Sequence, residues 1–148
     1  MKILFINGSG NKEGKTANLA KILLEGKEYE TFNLIDYRIN VYGQMLEGDQ
    51  FNIVLEKVKK SDVIVIGSPV YWHNICGSVR NFLDRFYDPV EEDSLNGKLF
   101  FIYQGGAPQD WMLRDGEYTM ERFAGLYGLD YQGMVTNEAD AKKLSMKL

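Results

Sequence analysis

The stretch Asp62-Val63-Ile64-Val65-Ile66-Gly67-Ser68-Pro69-Val70-Tyr71-Trp72-His73-Asn74 decides the fold, because it joins a strand-like run to a loop suited to a ligand. Its β-branched run, Val63 to Ile66, predicts a central strand that is covered on both faces. Pro69 fixes its own φ and disfavours helix at the preceding serine, so the chain is expected to leave the strand there in an extended direction. The adjacent Tyr71 and Trp72 offer flat apolar surfaces with a polar rim, which predicts a floor for a flat, conjugated ligand.

Outward from this stretch, strand-like and helix-like patterns alternate along the chain. Such alternation is typical of a parallel sheet with helices on both faces. Apolar runs predict strands over Lys2 to Ile6, Tyr29 to Leu34, Val63 to Ile66, Lys98 to Tyr103 and Leu129 to Val135, with the second and the fifth at the edges. One-sided apolar spacing predicts helices over Thr16 to Leu24, Phe51 to Val58 and Asn74 to Tyr87, and a fourth around Met120 to Tyr127. We therefore predict the α/β class, as a flavodoxin-like three-layer sandwich with a five-stranded parallel sheet of order 2-1-3-4-5.

Length and composition favour one domain over residues 1–148, because domains commonly have about 100–150 residues. The net charge of −4, without a long basic block, argues against nucleic acid as a partner. No apolar run reaches the roughly 20 residues that membrane insertion needs. The single cysteine, Cys76, excludes an internal disulfide, and the first residues resemble a strand rather than a signal peptide, so a cytoplasmic location is expected.

The irregular piece from Ile35 to Gln50 is interpreted as a flap beside the site, and the tail from Asn137 as a short helix or a frayed end.

A second loop, Gly8-Ser9-Gly10-Asn11-Lys12-Glu13-Gly14-Lys15-Thr16, also joins a strand to a helix. Its glycines permit close approach, so successive N–H groups can turn towards an anion. The helix that begins near Lys15 or Thr16 adds unpaired N–H groups and a partial positive charge. The loop therefore predicts a phosphate site, with an ordinary turn capped by Thr16 as the alternative.

Two nucleotide-binding motifs almost match this loop and are rejected. A Walker A loop needs glycine five positions before Gly14, where Ser9 stands. A dinucleotide fingerprint needs glycine where Glu13 stands, and Asp36, at the distance of a ribose-binding acid, cannot restore that spacing. The phosphate and aromatic loops together indicate a phosphorylated aromatic cofactor instead.

A third glycine-rich loop, Gln104-Gly105-Gly106-Ala107-Pro108, follows the predicted strand that ends at Tyr103. Glycines at this position would let N–H groups approach the carbonyls and N5 of a flavin ring, where donors stabilise negative charge. A plain turn before the proline is the alternative interpretation.

These loops resemble those of the flavodoxin-like NAD(P)H-dependent FMN reductase and quinone reductase family, and the resemblance covers most of the chain. It is carried by Gly8-Ser9 to Thr16-Ala17, Ser68 to Trp72 with Phe82-Leu83-Asp84-Arg85-Phe86 behind it, and Gln104 to Gly106. It implies that the FMN phosphate is held by Ser9, Asn11, Lys15, Thr16 and Ala17. It implies that the flavin ring is bordered by Pro69, Val70, Tyr71, Trp72, His73, Gln104, Gly105 and Gly106. Many relatives have a basic residue where Asn11 stands, so Lys12 or Lys15 is expected to balance the phosphate charge.

The resemblance implies an FMN-dependent oxidoreductase, with NAD(P)H as co-substrate and a quinone, a nitro or azo compound or free flavin as the small-molecule acceptor. It also implies a homodimer whose flavin pockets share residues. No residue is assigned as a catalytic acid or base and none as a metal ligand; His73 is interpreted as a loop residue of modest influence and Cys76 as a packed thiol.

Relatives of the iron–sulfur type carry a cysteine cluster before the second helix, whereas Asp36 to Gln50 contains no cysteine, so FMN without a cluster is expected. The alternative from another class is a flavodoxin-type carrier that passes single electrons to protein partners. The modest charge of −4 argues against it, because such carriers tend to present a strongly acidic docking face. The nicotinamide preference and the physiological acceptor stay open.

Overall fold

Alternating apolar side chains build a central sheet whose two faces are both buried. The computed structural model describes residues 1–148. Its strands are β1 (Ile3–Asn7), β2 (Glu30–Asn33), β3 (Val63–Tyr71), β4 (Asn74–Ile75), β5 (Lys98–Gln104) and β6 (Asp130–Val135). Five of them are parallel in the order β2-β1-β3-β5-β6, and β4 pairs antiparallel with the end of β3. The predicted order 2-1-3-4-5 is confirmed once the short β4 is set aside, and the predicted edge strands do lie at the edges.

Helices cover both faces of this sheet. They are α1 (Lys15–Leu23), α2 (Phe51–Lys59), α3 (Gly77–Asp84), α4 (Asp110–Tyr127) and α5 (Glu138–Leu144). On one face Leu4 and Ile6 of β1 join a cluster of 26 buried residues under α2, α3 and α4. On the other face Ile3 and Phe5 join a cluster of 14 under α1 and α5. The period-two alternation of β1 thus divides the core into the two apolar layers of a three-layer sandwich.

Strand β3 is longer than predicted, because it continues through Pro69 to Tyr71. Its ladder with β1 ends at Gly67, whereas its ladder with β5 continues to the pair Pro69 and Gln104. Beyond Gly67 no residue of β1 accepts a hydrogen bond from β3. Pro69, which has no N–H group to donate, is therefore tolerated at this position.

The predicted helix from Asn74 to Tyr87 was wrong at its start, since Asn74 belongs to β4 and α3 begins at Gly77. Trp72 and His73 form a two-residue turn between β3 and β4, with φ of +47° and +66°. Positive φ at both central residues is the feature of the hairpin turns that match strand twist, although such turns favour Asn-Gly. The turn therefore holds two bulky residues in a conformation that is unfavourable by about 1 kcal/mol or more for each.

The long connection after β2 is fastened along α3. Arg85 donates to the Asp49 carboxylate at 2.6 and 3.0 Å and to the Asn40 carbonyl at 2.9 Å. Asn81 donates to the Ile39 carbonyl at 2.9 Å. Hydrogen bonds thus tie Ile39, Asn40 and Asp49 of the segment predicted as a flap to α3 and Arg85, whereas residues 41–49 are exposed.

The carboxyl-terminal tail is helical rather than frayed. Asn137 caps α5, because its side-chain oxygen accepts the Asp140 N–H at 2.9 Å. None of the helices of the protein combines the length and the apolar character needed to cross a lipid bilayer.

Candidate cofactor site

The loop between β1 and α1 leaves a group of backbone N–H donors without an acceptor. The amides of Lys15, Thr16 and Ala17 open α1, and no atom of the protein accepts from them. The loop amides of Gly10 and Lys12 are equally free. Free amides at a helix amino terminus, with the partial positive charge of the helix, favour a phosphate.

Ser9 and Asn11, both predicted to hold phosphate, use part of their hydrogen-bonding capacity inside the loop. The Ser9 Oγ accepts the Asn11 N–H at 3.1 Å, and the Asn11 Oδ1 accepts the Glu13 N–H at 3.1 Å. The hydroxyl hydrogen of Ser9 and the Nδ2 group of Asn11 make no other bond in the protein, so both can still donate to an anion.

The charges on the loop distinguish its two lysines. Lys12 pairs with the Asp36 carboxylate at 2.6 Å. Lys15 is exposed and has no carboxylate within ion-pair distance. Of the two cations expected to balance a phosphate, Lys15 is therefore the free one.

The three predicted loops meet at the carboxyl edge of the sheet. Gln104 Nε2 donates to Thr16 Oγ1 at 3.1 Å and so joins the third loop to the first helix. The Tyr71 hydroxyl lies 3.8 Å from the position that a Cβ on Gly10 would take, which places the aromatic loop beside the phosphate loop. The parallel order of β1, β3 and β5 brings these loops together, as expected for loops that follow neighbouring strands.

The aromatic residues of the middle loop are exposed. Tyr71 is 48% exposed and Trp72 is 95% exposed, so neither belongs to the core. The exposed His73 lies against Trp111, with ring centroids 6.1 Å apart. These three side chains, with Trp111, form an aromatic rim that flat molecules can contact from solvent.

Beneath the rim, Pro69 is buried and Val70 is partly buried, so both support the loop from below. In the third loop the amides of Gly105 and Gly106 have no acceptor within the protein. A Cβ on Gly105 would come within 3.1 Å of Val70 Cβ, whereas Gly106 faces open space. The third loop thus offers free donors beside Val70 of the aromatic loop, and their contact with a flavin ring stays a prediction.

Two serines that were not predicted as site residues hold these loops in place. Ser68 is 0% exposed, and its Oγ accepts the Cys76 N–H at 2.9 Å. The Ser78 hydroxyl donates to the Gly8 carbonyl at 2.8 Å. Cys76 is 1% exposed, as expected for a packed thiol. Each serine directly follows a glycine, Gly67 at the end of the β1–β3 ladder and Gly77 at the start of α3, and this pattern is the signal that could have indicated these positions.

Gly8 and Gly67 are required by packing. A Cβ on Gly8 would lie 2.2 Å from Val79 Cγ2, and a Cβ on Gly67 would lie 2.6 Å from Thr16 Cγ2. Both distances are far below van der Waals contact, so α1 and α3 can approach the strand ends only because these positions lack side chains.

The site contains no group of three or more His, Cys, Asp or Glu residues that could hold a metal ion. A groove of about 300 Å³ lies elsewhere on the surface, between α3 and α4. The three loops form a shallow, open site. It is therefore recognised by its free hydrogen-bond donors and aromatic side chains rather than by a deep cavity.

A parallel sheet with a loop of free amides after β1 and an exposed aromatic loop after β3 defines a flavodoxin-like protein suited to a phosphorylated flavin. Comparison with known families agrees: the chain belongs to the NADPH-dependent FMN reductase family, whose model matches residues 1–136. The predicted family and fold class are thereby confirmed, and the description of this family supports FMN as the cofactor.

Individual relatives match part of the chain. An iron–sulfur flavoprotein of Archaeoglobus fulgidus is 39% identical over 98 residues, which are 57% of this chain and 48% of the relative. An NADPH azoreductase of Bacillus sp. strain OY1-2 is 31% identical over 91 residues, 57% of this chain and 49% of the relative. The chain thus spans about half the length of these curated relatives. A solved flavone reductase, 19% identical, has a TM-score of 0.81 over 98% of this chain and 60% of its own, and shows the shared fold.

Proposed function

We propose that this protein is an FMN-dependent NAD(P)H oxidoreductase whose acceptor is a quinone, a nitro or azo compound or free flavin. The observation that carries the proposal is the meeting of five free amides with an exposed aromatic loop, whose Tyr71 hydroxyl lies beside Gly10. FMN has both features that such a site selects, a phosphate at one end and a flat ring at the other. When bound, FMN supplies the hydride-accepting chemistry.

In this proposal the chain binds and orients the cofactor. The phosphate is held by donors from Ser9, Asn11, Lys15, Thr16 and Ala17. The ring is bordered by Pro69, Val70, Tyr71, Trp72, His73, Gln104, Gly105 and Gly106. No side chain is required as an acid or a base, because hydride transfer depends mainly on positioning.

The test is an anaerobic absorbance spectrum of the purified protein with FMN, before and after addition of NADPH or NADH. Rapid loss of the flavin absorbance supports the oxidoreductase. Tight FMN binding without loss of absorbance would favour the electron carrier, and absence of FMN binding would refute the site. The carrier is the weaker candidate, because the net charge of −4 is modest and such carriers tend to present a strongly acidic docking face.

The absence of an iron–sulfur cluster is part of the proposal. The chain has one cysteine and the archaeal relative is named for a cluster, so the two are expected to differ in this respect. Iron and sulfide analysis of the purified protein should return no stoichiometric amounts. The single buried thiol also suits a reducing compartment, and we propose a cytoplasmic location on that ground.

We also propose a homodimer whose interface is the groove between α3 and α4. This groove lies away from the three loops, so the dimer proposed here does not require flavin pockets that share residues. This groove has a volume of about 300 Å³. Its wall includes Tyr87, Tyr118 and Leu126, which are 57%, 64% and 40% exposed. An exposed apolar surface of this kind is typical of an interface.

A second copy of the chain is the occupant that the charges favour. Arg80, Arg122 and Asp84 line the same groove, and none of them forms an ion pair within the chain. A two-fold axis places one patch against itself, so these arginines could pair with the aspartate of the other copy.

Sedimentation of Leu126→Lys tests this interface, with Ile53→Lys on α2 as the control, because Ile53 is 43% exposed and lies outside the groove. Leu126→Lys should shift the protein to monomer and Ile53→Lys should not. A wild-type protein that stays monomeric at all concentrations would refute the dimer.

A further inference from the structure

An alternating series of side-chain hydrogen bonds runs through the loop after β1. The Ser9 N–H donates to Asn7 Oδ1 at 3.1 Å, and the Asn11 N–H donates to Ser9 Oγ at 3.1 Å. The Glu13 N–H then donates to Asn11 Oδ1 at 3.1 Å. Each bond reaches two residues along the chain, so every second amide is satisfied within the loop. The amides between them, those of Gly10 and Lys12, keep their N–H groups free.

Asn7 begins this series and is itself held from its other side. Its side chain is 0% exposed, and its Nδ2 donates to Asn33 Oδ1 at 3.1 Å. Asn7 and Asn33 are paired at the last position of the β1–β2 ladder, so the sheet fixes both residues. With its nitrogen held by Asn33, the Asn7 oxygen is directed at the Ser9 amide.

Gly8 does not orient the loop amides that follow it, because both of its backbone groups are bonded to the neighbouring strand and helix. Its N–H donates to the Gly67 carbonyl at 2.8 Å, and its own carbonyl accepts the Ser78 hydroxyl at 2.8 Å. Gly8 is therefore fixed to the strand end. Ser9 is the first residue whose amide direction depends on a side chain, and that side chain is Asn7.

We propose that Asn7 is the positioning residue for the FMN phosphate. It orients the Ser9 amide, and through the series of bonds it sets the free amides of Gly10 and Lys12 before any anion binds. The amides that would meet the phosphate are thus organised in advance, which raises affinity because less ordering remains to be done on binding. This role rests on the proposed FMN site, and it concerns the phosphate end of that site alone.

The experiment compares the affinity of FMN with that of riboflavin, which lacks only the phosphate. Dissociation constants are measured by quenching of flavin fluorescence for wild type and Asn7→Leu. The variant should bind FMN about tenfold more weakly, as expected for loss of a buried hydrogen bond that organises others. Its affinity for riboflavin should stay within about twofold of wild type, since the ring end of the site is not changed.

A milder variant and a control complete the experiment. Asn33→Ala leaves Asn7 in place and removes only its anchor, so a smaller loss of FMN affinity is expected, again without an effect on riboflavin. This variant keeps the proposal testable if Asn7→Leu fails to fold. Asn52→Leu, on the exposed face of α2, should change neither affinity.

The outcomes separate the two proposals. Selective loss of FMN affinity in the variants supports Asn7 as a positioning residue. Equal loss for FMN and riboflavin would show a merely structural role and overturn it, as would unchanged FMN affinity. Failure of the wild-type protein to bind FMN would instead refute the proposed function, and this inference with it.

Discussion

Replacing Tyr103 with phenylalanine is expected to stabilise the protein. Tyr103 is 0% exposed, and its hydroxyl has no hydrogen-bond partner. Its ring stacks on Phe101 at 5.0 Å and lies against the α4 backbone at Gly116. A buried polar group without a partner is unfavourable by about 1–3 kcal/mol, so Tyr103→Phe should raise the free energy of unfolding at pH 7 by about 1 kcal/mol.

The same hydroxyl makes the stability depend on alkaline pH. Burial raises the pKa of Tyr103 to about 12, with a smaller effect from Asp115. A raised pKa means that the folded state keeps its proton after the unfolded chain, with a pKa of about 10, has lost it. The stability that depends on the protonated Tyr103 hydroxyl is fully present below about pH 10. It is lost as the pH rises through the folded pKa. At pH 11, one unit above the unfolded pKa, wild type should have lost about 1.4 kcal/mol relative to Tyr103→Phe.

Urea unfolding followed by far-UV circular dichroism at pH 7 and pH 11 measures both effects. Tyr131→Phe is the matched control, because the Tyr131 hydroxyl donates to Glu117 Oε2 at 2.8 Å. Removing that satisfied hydroxyl should lower the free energy of unfolding by about 1 kcal/mol at pH 7. Destabilisation of the protein by Tyr103→Phe at pH 7 would refute the unsatisfied hydroxyl. A free energy of unfolding of Tyr103→Phe that falls as steeply as that of wild type between pH 7 and pH 11 would refute the raised pKa.

Two further predictions concern packing and charge. Gly116→Ala should lower the free energy of unfolding by about 2 kcal/mol, because the added Cβ would lie 2.2 Å from Tyr103 Cε2. Gly125→Ala on the same helix meets no atom within 4 Å and should raise it by about 0.5–1 kcal/mol, and equal effects of the two changes in chemical unfolding would contradict the packing argument. The hydrogen bond from Arg85 holds the pKa of the Asp49 carboxyl below its ordinary value. The stability that the ionised carboxylate gives the fold is therefore present above about pH 4 and is lost as the pH falls through the lower folded pKa. Asp49→Asn should therefore be less stable than wild type at pH 7, with a gap that closes towards pH 2; a gap that persists in unfolding curves at pH 2 would disprove this origin.

The order of the elements was predictable because it depends on local pattern. Continuous apolar runs such as Val63 to Ile66 mark strands buried on both faces, and one-sided spacing marks the helices that cover them. The two edge strands were also predictable, since their mixed composition reflects partial exposure. Parallel order then places the three loops at one edge of the sheet, which is why the neighbourhood of the site followed from the sequence.

The details of the middle loop were not predictable, because they depend on contacts between distant residues. Pro69 is compatible with a continuing strand only because β1 has already ended at Gly67. Trp72 and His73 adopt positive φ because β4 pairs back on β3, and nothing in their own side chains favours that conformation. The apolar spacing of α3 extends to Ile75 on one side, so periodicity alone placed the start of the helix too early.

The two ends of the candidate site differ in how firmly their side chains and amides are held, and we expect them to have different roles for that reason. At the phosphate end, donors are fixed by buried groups such as Asn7 and by the bond from Gln104 to Thr16 across 88 positions of the chain. At the ring end, Trp72 is 95% exposed and is held by a turn rather than by packing. Fixed donors favour tight binding of one ligand, whereas an exposed aromatic side chain can meet flat molecules of various shapes. Cofactor affinity should therefore depend on the phosphate end, and the choice among acceptors on the aromatic rim.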